Sequence, residues 1–197
     1  MVGALPLELG QIYHITCRGE KGEKLFPEER AYAYFLNLYF KAVAPVADTY
    51  AYCLLPDHAH MLIRTKMATE RPEDRDVLEP GRHVAVLLDA YTKAINKAYG
   101  RSGSLFQRPF GQVWLPSDVH LGHLIAYIHQ DPERRGLVED FAGWPHSSYD
   151  ALLSHEPTPL KRDEVLAWFD GRAAFRQFHQ QPVLAALVAE LAPNDFD

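Results

Sequence analysis

Tyr50-Ala51-Tyr52-Cys53-Leu54-Leu55-Pro56-Asp57-His58-Ala59-His60-Met61-Leu62-Ile63 is a run of mostly apolar and aromatic residues interrupted by Pro56-Asp57. Proline presets φ and aspartate bonds to nearby backbone, so the interruption is turn chemistry, and the stretch predicts two strands, 48–55 and 58–65, joined as a hairpin. Successive side chains of a strand point to opposite faces. His58 and His60 therefore share one face, while Ala59, Met61 and Ile63 fill the other. On the face that the sequence leaves to solvent, two imidazoles can converge on one ion; the competing reading is a structural pair. Ten histidines in 197 residues produce a His-x-His by chance about 0.5 times, so the spacing alone does not choose.

Working outward, residues 11–18 alternate as a first strand, and Pro27 opens a helix running to about position 43. Residues 66–80 carry five acids, three bases and two prolines and read as a mobile loop. A second helix follows over 82–99 and ends at Gly100. Residues 106–115 read as the fourth strand. Ser117 caps a third helix that starts near Asp118 and stops at Pro132. The order is strand, helix, strand, strand, helix, strand, helix. Beyond Trp144-Pro145 the chain turns loop-like to about 160, then offers short helical patterns at 162–178 and 182–191, giving a main domain of 1–155 and an appendage of 156–197.

The third helix carries Ala126-Tyr127-Ile128-His129-Gln130-Asp131-Pro132. Residues four apart share a helix face, so Tyr127 and Asp131 point the same way, and a carboxylate there can join His58 and His60 on an ion. A phenol with a pKa of about 10 is a weak nucleophile at neutral pH, and a Lewis acid on its target supplies the missing help. Each residue also has a plainer reading. Tyr127 suits an amphipathic helix packed on the sheet, and Asp131 suits a helix end, because the residue before proline is biased away from helical geometry. His123, four residues before Tyr127, fits a base, a third ligand or a surface DNA contact. His120 and His129 read as solvent-facing or capping.

Composition bounds the rest. An apolar content of 47% supports a packed core, and Cys17 and Cys53 fall inside predicted strands as small buried hydrophobes. No apolar run reaches membrane-spanning length and the first ten residues lack a signal-peptide pattern, so the expected compartment is the cytoplasm, at the nucleoid. A net charge of −6 weighs against nucleic acid, but residues 81–115 hold five bases against one acid. Arg18, Lys21, Lys93, Lys97, Arg101 and Arg108 are the candidate phosphate contacts. Tyr91, Tyr99, Phe106 and Phe110, interleaved with them, are candidate stacking platforms for unpaired bases; the alternative is a solvated helix face over core aromatics.

Several stretches together resemble one family, the single-tyrosine HUH transposases, in their REP-associated tyrosine transposase branch. They are Tyr13-His14-Ile15-Thr16-Cys17-Arg18-Gly19, the hairpin from Tyr52 to Ile63, Gly103-Ser104-Leu105-Phe106-Gln107-Arg108, Tyr127-Ile128-His129-Gln130-Asp131-Pro132, Gly136-Leu137-Val138 and Trp144-Pro145-His146-Ser147-Ser148-Tyr149. They stand in family order over residues 10–180, and Glu164-Val165-Leu166-Ala167-Trp168-Phe169 resembles a helical piece that follows the catalytic domain in many members.

The resemblance implies an α+β, ferredoxin-like (RRM-like) antiparallel sheet with the histidines on a central strand. It also implies a Mg2+ or Mn2+ cofactor and hairpin-forming single-stranded DNA cleaved and rejoined through a 5′-phosphotyrosine. Carried over by position, Tyr127 is the nucleophile and His58, His60 and Asp131 hold the metal. Asp131 departs from the amide usual there, adding a negative charge that strengthens ion binding and partly offsets the pull on an anionic phosphate. Glu133 and Asp57 depart from a usual aliphatic residue and a frequent asparagine. The appendage would guide a DNA hairpin, mediate a homodimer or cover the sheet. Two rivals stand beside this reading: a catalytically silent single-strand binder on the same fold, and an unrelated His-x-His metallohydrolase, which needs a further ligand where Leu62 stands.

Overall fold

Pro56-Asp57 forms the turn between two paired strands: Leu55 lies opposite His58, and the antiparallel register runs on to Ala47 opposite Thr65, shifted once between Thr49 and Ala51. The computed structural model describes residues 6–72, 79–116, 121–183 and 185–192. Among these, β1 (Ile12–Arg18), α1 (Glu29–Val43), β2 (Ala47–Leu55), β3 (His58–Thr65), α2 (Pro80–Tyr99), β4 (Gly111–Trp114) and α3 (Leu121–Arg134) follow the expected order. The four strands form one antiparallel sheet, β2-β3-β1-β4, which is the α+β ferredoxin-like arrangement. Ser117, Asp118, His120 and the middle of the 66–80 segment lie outside the described residues.

Helix boundaries follow local chemistry. Pro80 sits in the first turn of α2, where its missing N–H costs nothing, and Gly100 ends that helix at φ 62°, a left-handed conformation that glycine takes without strain. In α1 the buried residues Ala31, Tyr32, Phe35, Tyr39 and Val43 recur at helical spacing and face the sheet. β4 is shorter than expected. Pro109 offers no N–H to a ladder, so Phe106 makes only an isolated bridge with Gly19, and regular pairing starts at Gly111.

The strand alternation sorts the sheet into two chemistries. Tyr13, Ile15 and Cys17 of β1 and Ala59, Met61 and Ile63 of β3 join Phe35 and Tyr39 of α1 and Leu87, Leu88 and Tyr91 of α2 in one apolar core. Each such large side chain stabilises the fold by about 1.5–3 kcal/mol. His14, Thr16, His58 and His60 occupy the opposite face. That face is not solvent-facing as the hairpin alone suggested: all four are buried. A second core covers it, built from α3 and from residues contributed by 141–192, among them Phe141, Tyr149, Val165, Phe175 and Val188.

Within that cover the segment read as loop contains α4 (Tyr149–Leu153), and the two expected helical patterns resolve into α5 (Arg162–Ala167), α6 (Arg172–His179) and α7 (Ala185–Val188). Gly171, at φ 103°, separates α5 from α6. The Trp144–Tyr149 motif lies along the outer edge of β2. Leu54 N–H donates to the His146 carbonyl and Ser148 N–H to that of Tyr52, both at 2.9 Å, while Lys161 N–H donates to Thr49 at 3.0 Å. Among the described residues no helix is long and apolar enough to cross a membrane.

Candidate active site

Three side chains from two elements meet on the covered face. His58 and His60 come from β3 and Asp131 from α3, and one potential ligand atom of each lies within 4.8 Å of the others. His58 Nε2 is 3.0 Å and His60 Nε2 3.5 Å from the same oxygen, Asp131 Oδ2. The far nitrogens are held too. His58 Nδ1 is 2.7 Å from Asp57 Oδ1, and His60 Nδ1 is 2.9 Å from His14 Nε2, whose own Nδ1 lies 2.6 Å from the Leu191 carbonyl oxygen. Both carboxylates accept, so a proton on either nitrogen of His58 meets a partner, Asp57 Oδ1 or Asp131 Oδ2. Two imidazole nitrogens and a carboxylate oxygen thus converge on one point, an arrangement that a shared proton or a cation satisfies.

Charge follows burial and contacts. Burial works against ionising Asp131, but the hydrogen bond with His58, the close contact of His60 and the positive charge of Arg135 outweigh it and hold the carboxyl well below its usual range. Burial pushes His60 down to about 3, with the neighbouring histidines working the same way against the pull of Asp131. The pair is thus an ionised carboxylate beside a neutral imidazole. Two imidazole nitrogens and one ionised carboxylate oxygen are a donor set that divalent first-row metals accept.

Tyr127 lies one turn before Asp131 on α3, its ring centroid 6.2 Å from that of His60. It is only 1% exposed. The Arg134 guanidinium carbon stands 4.2 Å from the ring centroid. Burial raises the phenol pKa and Asp131 adds to the rise, whereas a hydrogen bond with Arg134 and the charges of Arg134 and Arg135 pull it back. Arg135 Nε donates to Asp131 Oδ2 at 2.9 Å. Arg18 stands opposite His58 in the β1–β3 register, where burial and the like charge of Arg135 lower its pKa against the opposing pull of Asp57 and Asp131.

The end of α3 explains how the two arginines arrive. The helix does not stop at Pro132; it continues to Arg134. Proline forfeits a single ladder bond so near the end. Gly136 N–H donates to Glu133 and Leu137 N–H to Pro132, at 2.8 and 2.9 Å, with Gly136 at φ 68°. That is a Schellman cap, and it places Arg134 and Arg135 in and beside the last turn, against the site. Sequence reasoning missed both. The Arg134-Arg135-Gly136 run, bases then glycine, is itself a helix-stop signal and could have found them.

Other candidates fall elsewhere. Lys93 and Lys97 are exposed on α2, on the opposite side of the sheet from His58 and His60, and Lys21 is exposed in the turn after β1. Arg101 pairs with Asn96 and Glu23, and Arg108 with Asp89 at 2.5 Å. Arg18 and Thr16 line a groove with Gln107, Pro109, Phe110 and Gly111. The His123 ring lies tilted against that of Phe178, 5.1 Å between centroids, and is not part of the ligand cluster. His129 is fully buried rather than solvent-facing, because α6 brings His179 to 2.9 Å from it and Ser148 stands on its other side at 2.8 Å. Tyr91, Phe106 and Phe110 are core residues, closed to bases; only Tyr99 of that set is exposed.

Fold and site together define an α+β protein of ferredoxin-like topology with a buried His-His-Asp cluster and a tyrosine one helical turn from its carboxylate. No family profile matches the chain. A Haemophilus influenzae protein whose name assigns it provisionally to the REP-associated tyrosine transposases is 29% identical over 121 residues, 57% of this chain and 64% of that protein. The chain thus spans somewhat less than two thirds of the relative's length. A solved REP-associated tyrosine transposase bound to a REP hairpin shares the fold at a TM-score of 0.61 and 16% identity, covering 80% of this chain and 88% of the other. The sequence relative supports the family that the motifs resemble, the REP-associated tyrosine transposases, and the solved structure agrees in fold.

Proposed function

We propose that this chain is a divalent-metal-dependent transesterase acting on single-stranded, hairpin-associated DNA through a covalent tyrosine link. The observation that carries the reading is the convergence, within one chain, of Tyr127 and Asp131 of α3 on His58 and His60 of β3. His58, His60 and Asp131 would hold Mg2+ or Mn2+. When bound, the ion supplies Lewis-acid polarisation of the scissile phosphate and charge stabilisation at the departing oxygen.

The chain's own groups do the rest. The Tyr127 oxygen attacks phosphorus and loses its proton; the bond from phosphorus to the 3′-oxygen breaks, and that oxygen takes up a proton as a free hydroxyl. The 5′ end stays on Tyr127, and attack by another 3′-hydroxyl reverses the step. Arg134, whose side chain is 36% exposed, stabilises negative charge gathering on the phenol. Arg135 steadies Asp131, and Arg18 faces the incoming phosphate. The groove beside Arg18 takes the flanking nucleotides, and Lys21, Lys93, Lys97, Arg101 and Arg108 serve, in this reading, more distant parts of the DNA.

In this reading the groups of a single protomer make up the site. Residues 1–155 carry, on the same proposal, the catalytic groups, and the segment after them completes a cover that begins within α3 and at Phe141. The relative's family name and the hairpin in the solved neighbour support a REP-like hairpin as the substrate class. The near-complete burial of Tyr127 and the net charge of −6 favour the second reading, a silent single-strand binder. Incubation with Mn2+ and hairpin-bearing single-stranded DNA separates the two. The expected result is a denaturant-resistant protein–DNA adduct that disappears in Tyr127→Phe; binding without an adduct on any hairpin tried overturns transesterification.

A further inference from the structure

His14 is absent from every role assigned above, yet it is 1% exposed and both of its ring nitrogens are engaged. Its ring stacks on that of His60, with 5.1 Å between centroids and 23° between planes. The Leu191 carbonyl can only accept, so the proton of His14 sits on Nδ1. Buried, with neither ring nitrogen against a carboxylate, the imidazole carries that one proton only, so its Nε2 has a lone pair and accepts. The partner at 2.9 Å, His60 Nδ1, must then donate. One backbone carbonyl near the end of the described chain thereby decides, through two rings, which nitrogen of His60 is bare. It is Nε2, the atom turned toward Asp131.

We infer that His14 is a positioning residue for the proposed metal centre, locking His60 in the tautomer that presents Nε2 as a ligand. The inference rests on the metal reading above. Ligating histidines elsewhere owe their orientation and basicity to such partners, whose loss typically weakens metal affinity about 10–100-fold.

Two measurements test it. In metal-free protein, nitrogen-15 correlation spectra of the imidazoles read the tautomer of His60 directly; the expected state is protonated Nδ1 with bare Nε2, and the reverse overturns the proposal. Titration with Mn2+ followed by electron paramagnetic resonance reads affinity in wild type, His14→Leu and His14→Gln, with melting curves for each. Leucine should weaken binding about 10–100-fold. Glutamine can donate to Leu191 and accept from His60, so it should restore most of the affinity. A folded His14→Leu that binds Mn2+ like wild type, or a folded His14→Gln as weak as leucine, overturns it. Should His14→Leu not fold, the glutamine variant and the wild-type tautomer still decide. A wild type that takes up no Mn2+ yet shows the expected tautomer counts against the metal reading, not against the relay.

Discussion

His60 and Met61 are neighbours on β3, both shut off from solvent, and they live in different chemistries. Met61 points into a layer closed by α1 and α2, where Phe35, Leu87 and Leu88 ask nothing of a neighbour but shape. His60 points into a layer where His14, His58 and Asp131 must satisfy one another atom by atom. The two layers are equally buried, but the first tolerates any apolar filling of the right volume and the second tolerates few substitutions.

The sharpest way to break the comparison is to exchange the roles of those neighbours. His60→Ala should lower Mn2+ affinity more than about 100-fold, beyond the loss of an outer partner. Met61→Ala should leave affinity within a factor of about two while lowering stability by about 2–5 kcal/mol. Isothermal titration and urea denaturation on both variants measure the four values. If Met61→Ala weakens the metal as much as His60→Ala does, the two layers are not independent.

Acid should distinguish the layers next. Burial holds His179 at about 4 against 6.5 in the unfolded chain, and lowers His129 well below its ordinary value. Above pH 6.5 neither state binds the extra proton and the stability is whole. As pH falls from 6.5 toward 4 the unfolded chain takes up a proton that the fold refuses, so stability drops; below about 4 the loss from His179 is complete, on the order of 3 kcal/mol. Melting temperature recorded from pH 7.5 to 4 should fall across that window. A flat profile would mean that the cover over the histidine-bearing face is looser than its packing indicates.

The smallest effect concerns Arg134. Arg134→Ala removes a cation over the Tyr127 ring, worth about 0.5–1 kcal/mol, and should move the melting temperature by no more than a few degrees. It should also raise the phenol pKa, because Arg134 pulls that group down. An ultraviolet-monitored titration of wild type and variant, each alongside its Tyr127→Phe counterpart, reads the shift; a phenol unmoved by the change would detach Arg134 from Tyr127.

Half of this comparison was legible in the chain itself. Pro56-Asp57 and the two-residue period around His58 and His60 predict the hairpin and which residues share a face, since both are local rules. The α1 and α2 layer follows from helical periodicity in the same way. The opposite face was not legible. Its burial depends on residues 141–192, and no short-range pattern says where a segment eighty residues downstream will lie. His129 is the clearest case: its partner His179 is 50 residues away, so exposure was the natural expectation. At Pro132 a local rule misled, because the Gly136 cap outweighed a proline near the helix end. Asp131 reaches the ligand cluster despite preceding that proline, since the helix does not end there.

The Trp144–Tyr149 segment has a consequence for how copies of the molecule meet. By bonding to the backbone of β2, it and Lys161 turn that border of the sheet into a hem whose N–H and C=O groups are already engaged at Thr49, Tyr52 and Leu54. A foreign strand seeking to dock there would first have to unpick the chain's own stitching. Crowded molecules are therefore denied one template for the edge-on stacking that seeds fibrils.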